Sequence, residues 1–97
     1  MNYAFHPDAE VELSKAIEWY ETREPGLGLD FATQVHAAVQ RALAFPFAWQ
    51  EMGSDIRRAL VHRFPYGVLY VAEPDHLLIV AVMHLHRNPD YWRNRTS

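Results

Sequence analysis

The sequence contains no cysteine, few glycines and no long hydrophobic run, and each shortage excludes a class of protein. Without cysteine, the chain has neither a disulfide framework nor thiolate chemistry, and nothing in it requires an oxidising compartment. The longest apolar run, residues 77–83, is too short to cross a bilayer, so we expect no membrane role. The first residues lack the basic start and apolar run of a signal peptide, so we expect a cytoplasmic location.

The four glycines do not form the patterns that bind nucleotides or expose a catalytic serine. The sequence has no phosphate-binding loop, no dinucleotide-binding glycine pattern and no Gly-x-Ser-x-Gly elbow. It also has no pair of carboxylates at a spacing useful for catalysis. Nucleotide-dependent and serine-hydrolase chemistry is therefore not expected, and we expect no cofactor.

The composition is that of one globular domain. The 97 residues are 49% hydrophobic and 22% charged, which is enough apolar surface to offset the entropy cost of ordering the chain. A second core would leave each half too small to be stable. We therefore predict a single domain over residues 1–97.

Charge is unevenly distributed along the chain, although the net charge is only -3. Residues 1–55 contain three basic and nine acidic side chains, whereas residues 56–97 contain six arginines, three acidic side chains and four of the six histidines. Guanidinium groups bind phosphate and carboxylate through a planar fork, so the second half predicts a basic face. A sequence pI near 6.0 nevertheless argues against general nucleic-acid binding.

Hydrophobic periodicity predicts an α+β fold. Residues 2–6 alternate between polar and apolar, as in a short strand. Apolar residues have helical spacing over residues 8–23 and about 29–45. The pattern then changes to an extended one, which predicts strands at residues 56–63, 66–73 and 76–84. The short connections predict an antiparallel helical hairpin and a three-stranded antiparallel meander, with the helices packed on one face of the sheet. The run that includes residues 77–83 is apolar on both faces and is expected inside the sheet. The predicted contacts join Leu13, Ile17, Tyr20, Phe31, Val35 and Ala38 of the helices to Leu69, Val71 and Ile79 of the strands.

Two histidines at the end of the last strand are candidates for chemistry. His84 and His86 point to the same side of an extended backbone, beside Arg87 and near Tyr91. Such a set could transfer a proton while arginine stabilises a phosphate, which is the chemistry of a metal-independent ribonuclease. A zinc site would need a third ligand that the spacing does not supply, so we expect no metal. The alternative is a solvated polar strand end.

Basic side chains earlier in the chain offer a further surface. Arg57 and Arg63 are predicted to share one face of the strand at 56–63, with Arg58 on the other face. They could equally form ion pairs with the acidic helices. In the arginine-rich tail, the aromatic pair Tyr91 and Trp92 is predicted to anchor the segment to the domain.

Four short sequences, in this order and spacing, resemble the RelE/ParE superfamily of bacterial type II toxin–antitoxin toxins, and together they cover nearly the whole chain. They are Phe5-His6-Pro7, Trp19-Tyr20-Glu21 before Pro25-Gly26-Leu27-Gly28, Arg63-Phe64-Pro65-Tyr66, and His84-x-His86-Arg87-x-Pro89-x-Tyr91-Trp92. The resemblance implies a small cytoplasmic toxin silenced by an antitoxin whose flexible segment lies along the toxin surface. The partners it implies are a cognate antitoxin, in a hetero-oligomer, and a cellular target.

The resemblance leaves two targets open, because the RelE branch cleaves messenger RNA on the ribosome whereas the ParE branch poisons DNA gyrase. Nuclease members typically carry an arginine where this chain has Gly67, and Leu60 replaces one of their two basic residues on the preceding strand, although Arg58 could match the other. An acidic protein is also poorly suited to an RNA surface. The ParE-like interpretation is therefore favoured, with a non-toxic antitoxin-binding module that helps to repress the shared promoter as a third possibility.

The two main interpretations assign different site residues. A gyrase poison is expected to have no catalytic residues. Its contacts with target or antitoxin are predicted at Arg57, Arg63, Arg87, Tyr91, Trp92 and Arg93. A nuclease would use Arg58, Arg63, His84, His86, Arg87 and Tyr91.

Overall fold

A computed structural model describes residues 2–87 and 90–95 of the chain. The elements are β1 (Asn2–Phe5), α1 (Pro7–Arg23), α2 (Leu27–Ala44), β2 (Gln50–Glu51), β3 (Ile56–Leu60), β4 (Tyr66–Ala72) and β5 (His76–His84), followed by a short 3-10 helix (Arg93–Arg95). This order confirms the predicted α+β fold. Neither helix in the described part of the chain is long and apolar enough to cross a membrane.

A side chain accepts hydrogen bonds from backbone amides at the start of each helix. The Nδ1 atom of His6 accepts a hydrogen bond from the amide of Asp8 at 3.0 Å, and Pro7 occupies the first helical position, where its missing N–H costs nothing. The carboxylate of Glu21 accepts hydrogen bonds from the amides of Gly26 and Gly28 at the start of α2. A carboxylate at this end is also favoured by the helix dipole.

The predicted antiparallel helical hairpin is confirmed, and its two helices approach closely at Gly28. A Cβ atom at this position would lie 2.6 Å from the carbonyl oxygen of Ile17 in α1, so only glycine fits without displacing the backbone. Gly26, in the connection between the helices, has a φ of 90°. That left-handed conformation is the reason why a glycine is needed there.

The five strands form one mixed sheet in the order β1-β5-β4-β3-β2. The predicted antiparallel meander of β3, β4 and β5 is confirmed, and β1 adds to it in parallel, with Asn2 opposite His76. The two-residue strand β2, which pairs with Arg57 and Arg58, was not predicted, since two residues show no period.

The predicted strand at 56–63 is wrong in its last residues. It ends at Leu60, and Arg63, three positions further on, has a φ of 74°, a left-handed conformation outside the extended region. Arg63 therefore does not share a strand face with Arg57, as the alternation of residues had predicted.

The main core lies between the helical hairpin and one face of the sheet. Phe31, Val35 and Ala38 of α2 are buried there as predicted, together with Ile79 of β5. In α1, by contrast, the most deeply buried residues are alanines, and three predicted core residues are only half-buried. These are Leu13, Ile17 and Tyr20.

Two predicted contacts with the helices, at Leu69 and Val71, are wrong. Both side chains pack in a second apolar cluster on the opposite face of the sheet, because it is Val68 and Tyr70 that face the helices. Successive residues of a strand alternate between faces, so this shift of one position reverses every assignment in β4.

The C-terminal segment covers the second face of the sheet. Trp92 is fully buried there and packs with Ile56, Leu69, Val80 and Met83. The predicted anchoring of the tail by its aromatic residues is thereby confirmed. The covered strand β5 lies inside the sheet, as its apolar sequence predicted.

Candidate functional site

A groove with a volume of about 570 Å³ opens between α1 and the end of the sheet where β4 begins and β5 ends. Its lining comes from α1, the two strands and the C-terminal segment. The lining residues are Glu12, Lys15, Ala16, Trp19, Tyr20, Pro65, Tyr66, Val82, His84, Arg87 and Tyr91. Three predicted site residues, His84, Arg87 and Tyr91, therefore converge on one surface.

Aromatic rings form the wall of the groove. The ring of Tyr66 lies 6.2 Å from that of Tyr20 and 5.1 Å from the imidazole of His84. Trp19 meets Tyr20 edge to face at 5.0 Å and stays half exposed. Burial raises the pKa of both Tyr20 and Tyr66, which keeps the two phenols protonated and the wall uncharged.

The charge of Glu12 is compensated inside the protein. Arg95 binds its carboxylate through two hydrogen bonds of 2.9 and 3.1 Å, and the amide of Val82 donates to the same carboxylate at 3.0 Å. Lys15 and Arg87, in contrast, have no acidic partner among the described residues. The groove therefore presents two cations to a ligand.

The ring of Tyr91 contacts two guanidinium groups, those of Arg87 and Arg95. The guanidinium carbon of Arg87 lies 4.1 Å from the centre of the tyrosine ring, and that of Arg95 lies 5.0 Å away. Burial, reinforced by the neighbouring Glu12 carboxylate, raises the pKa of the Tyr91 hydroxyl above its usual value. Tyr91 is therefore a neutral platform under Arg87 and is unsuited to act as a base near neutral pH.

The two histidines have different environments. His84 lines the groove, and its Nδ1 atom accepts a hydrogen bond from the amide of His86 at 3.1 Å, which leaves Nε2 as the ring nitrogen able to meet a ligand. The ring of His86 is exposed, 5.3 Å from that of His84, and does not line the groove. The two imidazoles are therefore neighbours at the end of β5, and His84 is the one that lines the groove.

Arg58 lies on the other face of the sheet from His84. It stands opposite Leu69 in the β3–β4 ladder and donates to Gln50 at 2.8 Å. Its aliphatic part fills the space beside Gly67, where a Cβ atom would lie 2.9 Å from Cγ and Cδ of Arg58. The residues predicted for a nuclease are therefore divided between two faces.

The other arginines predicted for binding are held by local contacts away from the groove. The Nη1 atom of Arg63 lies 3.8 Å from the Oδ2 atom of Asp30 in α2, within ion-pair distance. Arg57 donates to the carbonyl of Trp49 at 2.8 Å. Arg93 donates to Asp90 at 2.7 Å and approaches the carbonyl of Met52. Trp92 has no exposed surface, so its contacts are with the core.

Four residues that shape the groove were not predicted from the sequence. Lys15 and Trp19 are one helical turn apart on α1, and an exposed tryptophan beside a lysine on an otherwise acidic helix was an available signal. Glu12 and Arg95 are 83 positions apart in the chain, and no local pattern connects them.

The described residues contain no cluster of three or more histidine, aspartate or glutamate side chains that could hold a metal ion. His84 and His86 in particular gain no third ligand there.

Comparison with known proteins defines the class of molecule. A sequence model described as "ParE toxin of type II toxin-antitoxin system, parDE" matches residues 3–89, which is most of the chain. The protein therefore belongs to the ParE toxin family, and the predicted resemblance to the RelE/ParE superfamily is confirmed. No curated protein matches the chain.

A solved structure shares this fold. It is titled "Chromosomal ParDE TA system from P. aeruginosa" and superimposes with a TM-score of 0.76 at 14% sequence identity, over 89% of this chain and 97% of the other. At this identity the similarity concerns the fold alone.

Proposed function

We propose that the protein is a cytoplasmic toxin that inhibits growth by binding and poisoning DNA gyrase, and that a cognate antitoxin neutralises it. One observation supports gyrase rather than messenger RNA as the target. The residues predicted for a nuclease are divided between the two faces of the sheet. His84 and Arg87 line the groove, whereas Arg58 packs on the far face beside Gly67.

Cleavage of RNA requires a proton carrier and a cation that contact the same phosphate. His84 and Arg87 both line the groove, but the Tyr91 phenol is kept protonated, and the exposed His86 is not part of the groove lining. The net charge of -3 further weakens attraction to the ribosomal RNA surface. A toxin that acts by contact alone needs none of these chemical groups.

Pairing with an antitoxin is supported by the uncompensated cations of the groove. Lys15 and Arg87 lie beside an aromatic wall, so the site suits an acidic segment with apolar side chains. An antitoxin bound there would cover surface that the toxin leaves exposed, including Trp19.

Induction of the lone chain in growing cells tests this function. We expect growth to stop, the DNA damage response to rise and messenger RNA to remain intact, and we expect purified protein to increase double-strand cleavage by gyrase. Co-expression of the protein encoded by the neighbouring gene should restore growth. Cells carrying a version with Phe31→Asp, which disrupts the buried core, provide the control for effects of expression itself.

Two other functions would give different results in the same experiment. The convergence of His84 and Arg87 in one groove favours a ribosome-dependent nuclease as the second candidate, and cleaved messenger RNA without DNA damage would select it. A chain that binds the neighbouring gene product but leaves growth unchanged would be an antitoxin-binding module, with a role in repression of the shared promoter.

A further inference from the structure

Two phenylalanines in the connection between α2 and β2 are largely exposed to solvent. Phe45 is the C-cap residue of α2 and is 66% exposed, and Phe47 is 70% exposed. Neither side chain packs in the two apolar clusters that the described residues form. A single exposed apolar side chain is ordinary, but two large rings two positions apart form an apolar patch, which is typical of an interaction site.

The rings are carried by a β-turn over residues 45–48. The amide of Ala48 donates to the carbonyl of Phe45 at 3.1 Å, and Pro46 occupies the second position of the turn, where its fixed φ is favoured. The amide of Phe45 in turn donates to the carbonyl of Arg41 in α2 at 3.1 Å. The 45–48 turn is therefore attached directly to the end of the helix.

Three side chains hold the 45–48 turn and its flanks in place. The buried Tyr70 donates its hydroxyl to the carbonyl of Pro46 at 2.6 Å, and the indole of Trp49 donates to the carbonyl of Arg41 at 3.3 Å. Arg57 donates to the carbonyl of Trp49 at 2.8 Å. A partner that binds the two rings does not have to order this segment, which lowers the entropy cost of binding.

The patch and the groove lie at opposite ends of the sheet. Phe47 borders a cavity of about 360 Å³ that is also lined by Ala72, the last residue of β4. The groove is lined by Tyr66, the first residue of the same strand. A strand of this length extends over about 20 Å, so the two surfaces are separate.

Charges beside the patch favour a protein partner over a nucleic acid. Arg41 lies one helical turn before Phe45 and has no acidic partner among the described residues. On the other side, Asp55 and Glu73 line the cavity beside Phe47, and their carboxylates repel a phosphate backbone. The surface that fits both features is an apolar pocket with a carboxylate at its border, opposite Arg41.

We infer that the 45–48 turn is a contact surface for DNA gyrase, in which Phe45 and Phe47 enter an apolar pocket of the enzyme and Arg41 pairs with a carboxylate beside it. The cations that attract the antitoxin lie in the groove, so the patch is left for the second macromolecule of the proposed function. Arg57, which the sequence predicted as a contact residue, lies under Phe47, with its guanidinium carbon 5.5 Å from the ring centre. The inference rests on the proposed function for the identity of the target and adds the surface that meets it.

The first test measures double-strand cleavage of plasmid DNA by purified gyrase at increasing toxin concentrations. Phe45→Ser combined with Phe47→Ser should raise the concentration needed for half-maximal cleavage at least about tenfold. Leu29→Ser is the matched control and should have little effect, because Leu29 is also 70% exposed but belongs to neither the patch nor the groove. Full activity of the double phenylalanine variant would overturn the inference.

Antitoxin binding and urea unfolding separate this surface from the groove and from the core. The double phenylalanine variant should unfold at nearly the same urea concentration as the unchanged toxin and bind the protein encoded by the neighbouring gene equally well, since the two rings belong to neither region. Loss of antitoxin binding in the folded variant would assign the patch to the antitoxin and overturn the inference. A lack of any effect of the unchanged toxin on gyrase would instead refute the proposed target, and this occupant with it.

The second test changes charge beside the patch. Arg41→Gln keeps a donor for the carbonyl of Leu60 but loses the charge. It should weaken binding to gyrase in the absence of DNA, and the difference from the unchanged toxin should shrink as salt is added. Arg63→Gln, which removes a charge near the start of α2, is the control and should have little effect. Equal binding by Arg41→Gln and the unchanged toxin would overturn the predicted pairing with a carboxylate.

Two other occupants of the patch would give different results. A toxin dimer, detected by light scattering and dissociated by the double phenylalanine variant, would show that a second copy binds there. Normal binding of that variant to gyrase without DNA, together with weaker binding to DNA alone, would show that the patch contacts DNA. Either result would overturn the inference.

Discussion

Arg95 binds Glu12 through two hydrogen bonds, one from each terminal nitrogen of its guanidinium, and so connects the C-terminal segment to the first helix. The two side chains are only 12% and 14% exposed. Each also bonds to the backbone of β5, Arg95 to the carbonyl of Val80 and Glu12 to the amide of Val82. Val80 is the extra residue of an irregularity in the β4–β5 ladder, so this ion pair satisfies backbone groups that none of the described strands reaches.

Loss of Arg95 should therefore destabilise the protein. Replacement by leucine leaves the Glu12 carboxylate and the Val80 carbonyl without their partner, so we expect Arg95→Leu to lower the free energy of unfolding by on the order of 2 kcal/mol, as measured in urea. Arg93→Leu is the matched control, since Arg93 pairs with an exposed aspartate, and it should cost less than about 1 kcal/mol. Equal losses in the two variants would contradict this account.

Gly67 and Arg58 should be energetically coupled. A methyl group at position 67 would overlap the Arg58 side chain, so Gly67→Ala should lower the free energy of unfolding by about 1 to 3 kcal/mol. The loss should be smaller when Arg58 is also changed to alanine, because the space beside position 67 is then empty. A double-mutant cycle in urea measures the coupling, and additive effects would show that the contact is unimportant.

The order of elements was predictable, but the faces of the strands were not. Helical spacing and proline positions were enough to predict the hairpin, since local chemistry determines both. Leu69 and Tyr70 are both large and apolar, so alternation could not decide which of them meets the helices. The sheet is covered on both faces, by α2 on one side and Trp92 on the other, and a doubly covered strand shows no amphipathic period.

Alkaline pH should destabilise the fold through Tyr70. Burial raises its pKa to about 12, and its hydroxyl donates to the Pro46 carbonyl at 2.6 Å, so the folded protein holds the phenol protonated. In the unfolded chain the phenol loses its proton near pH 10. Stability is therefore retained below about pH 10 and declines as the pH rises towards 12.

Urea unfolding at several alkaline pH values measures this decline, with tyrosinate absorbance as the second signal. Tyr70→Phe cannot ionise, so its free energy of unfolding should fall less steeply above pH 10 than that of the unchanged protein. Some decline should persist, because burial also raises the pKa of Tyr66 and Tyr91. Identical slopes for the two proteins would contradict the role given to Tyr70.

The candidate site was predictable only where its residues are neighbours in the chain. His84, Arg87 and Tyr91 lie three and four positions apart in the chain, and they converge on the groove as expected. The grouping of Arg58 and Arg63 with them was not realised, because strand register and a left-handed residue direct these side chains elsewhere. Helix α1 contributes Lys15 and Trp19; their spacing of one helical turn places them on one face of the helix, but only tertiary packing brings that face to the groove.

Imidazole chemistry should not be required for toxicity. Changing His84 and His86 together to glutamine removes both imidazoles, which are the candidate proton carriers. Glutamine still offers a hydrogen-bond donor and acceptor at each position, so contacts of the strand end are largely retained. We expect cells that express this double variant still to show DNA damage and intact messenger RNA. Arg87→Lys should have the larger effect, because lysine keeps the charge but loses the planar fork over Tyr91, and contact should weaken by about 1 to 3 kcal/mol. Antitoxin binding and thermal unfolding of each variant control for loss of the fold. If instead the unchanged toxin cleaved messenger RNA, and the double variant stayed folded and bound antitoxin but no longer cleaved, the catalytic role of the histidines would be established and the gyrase hypothesis would be wrong.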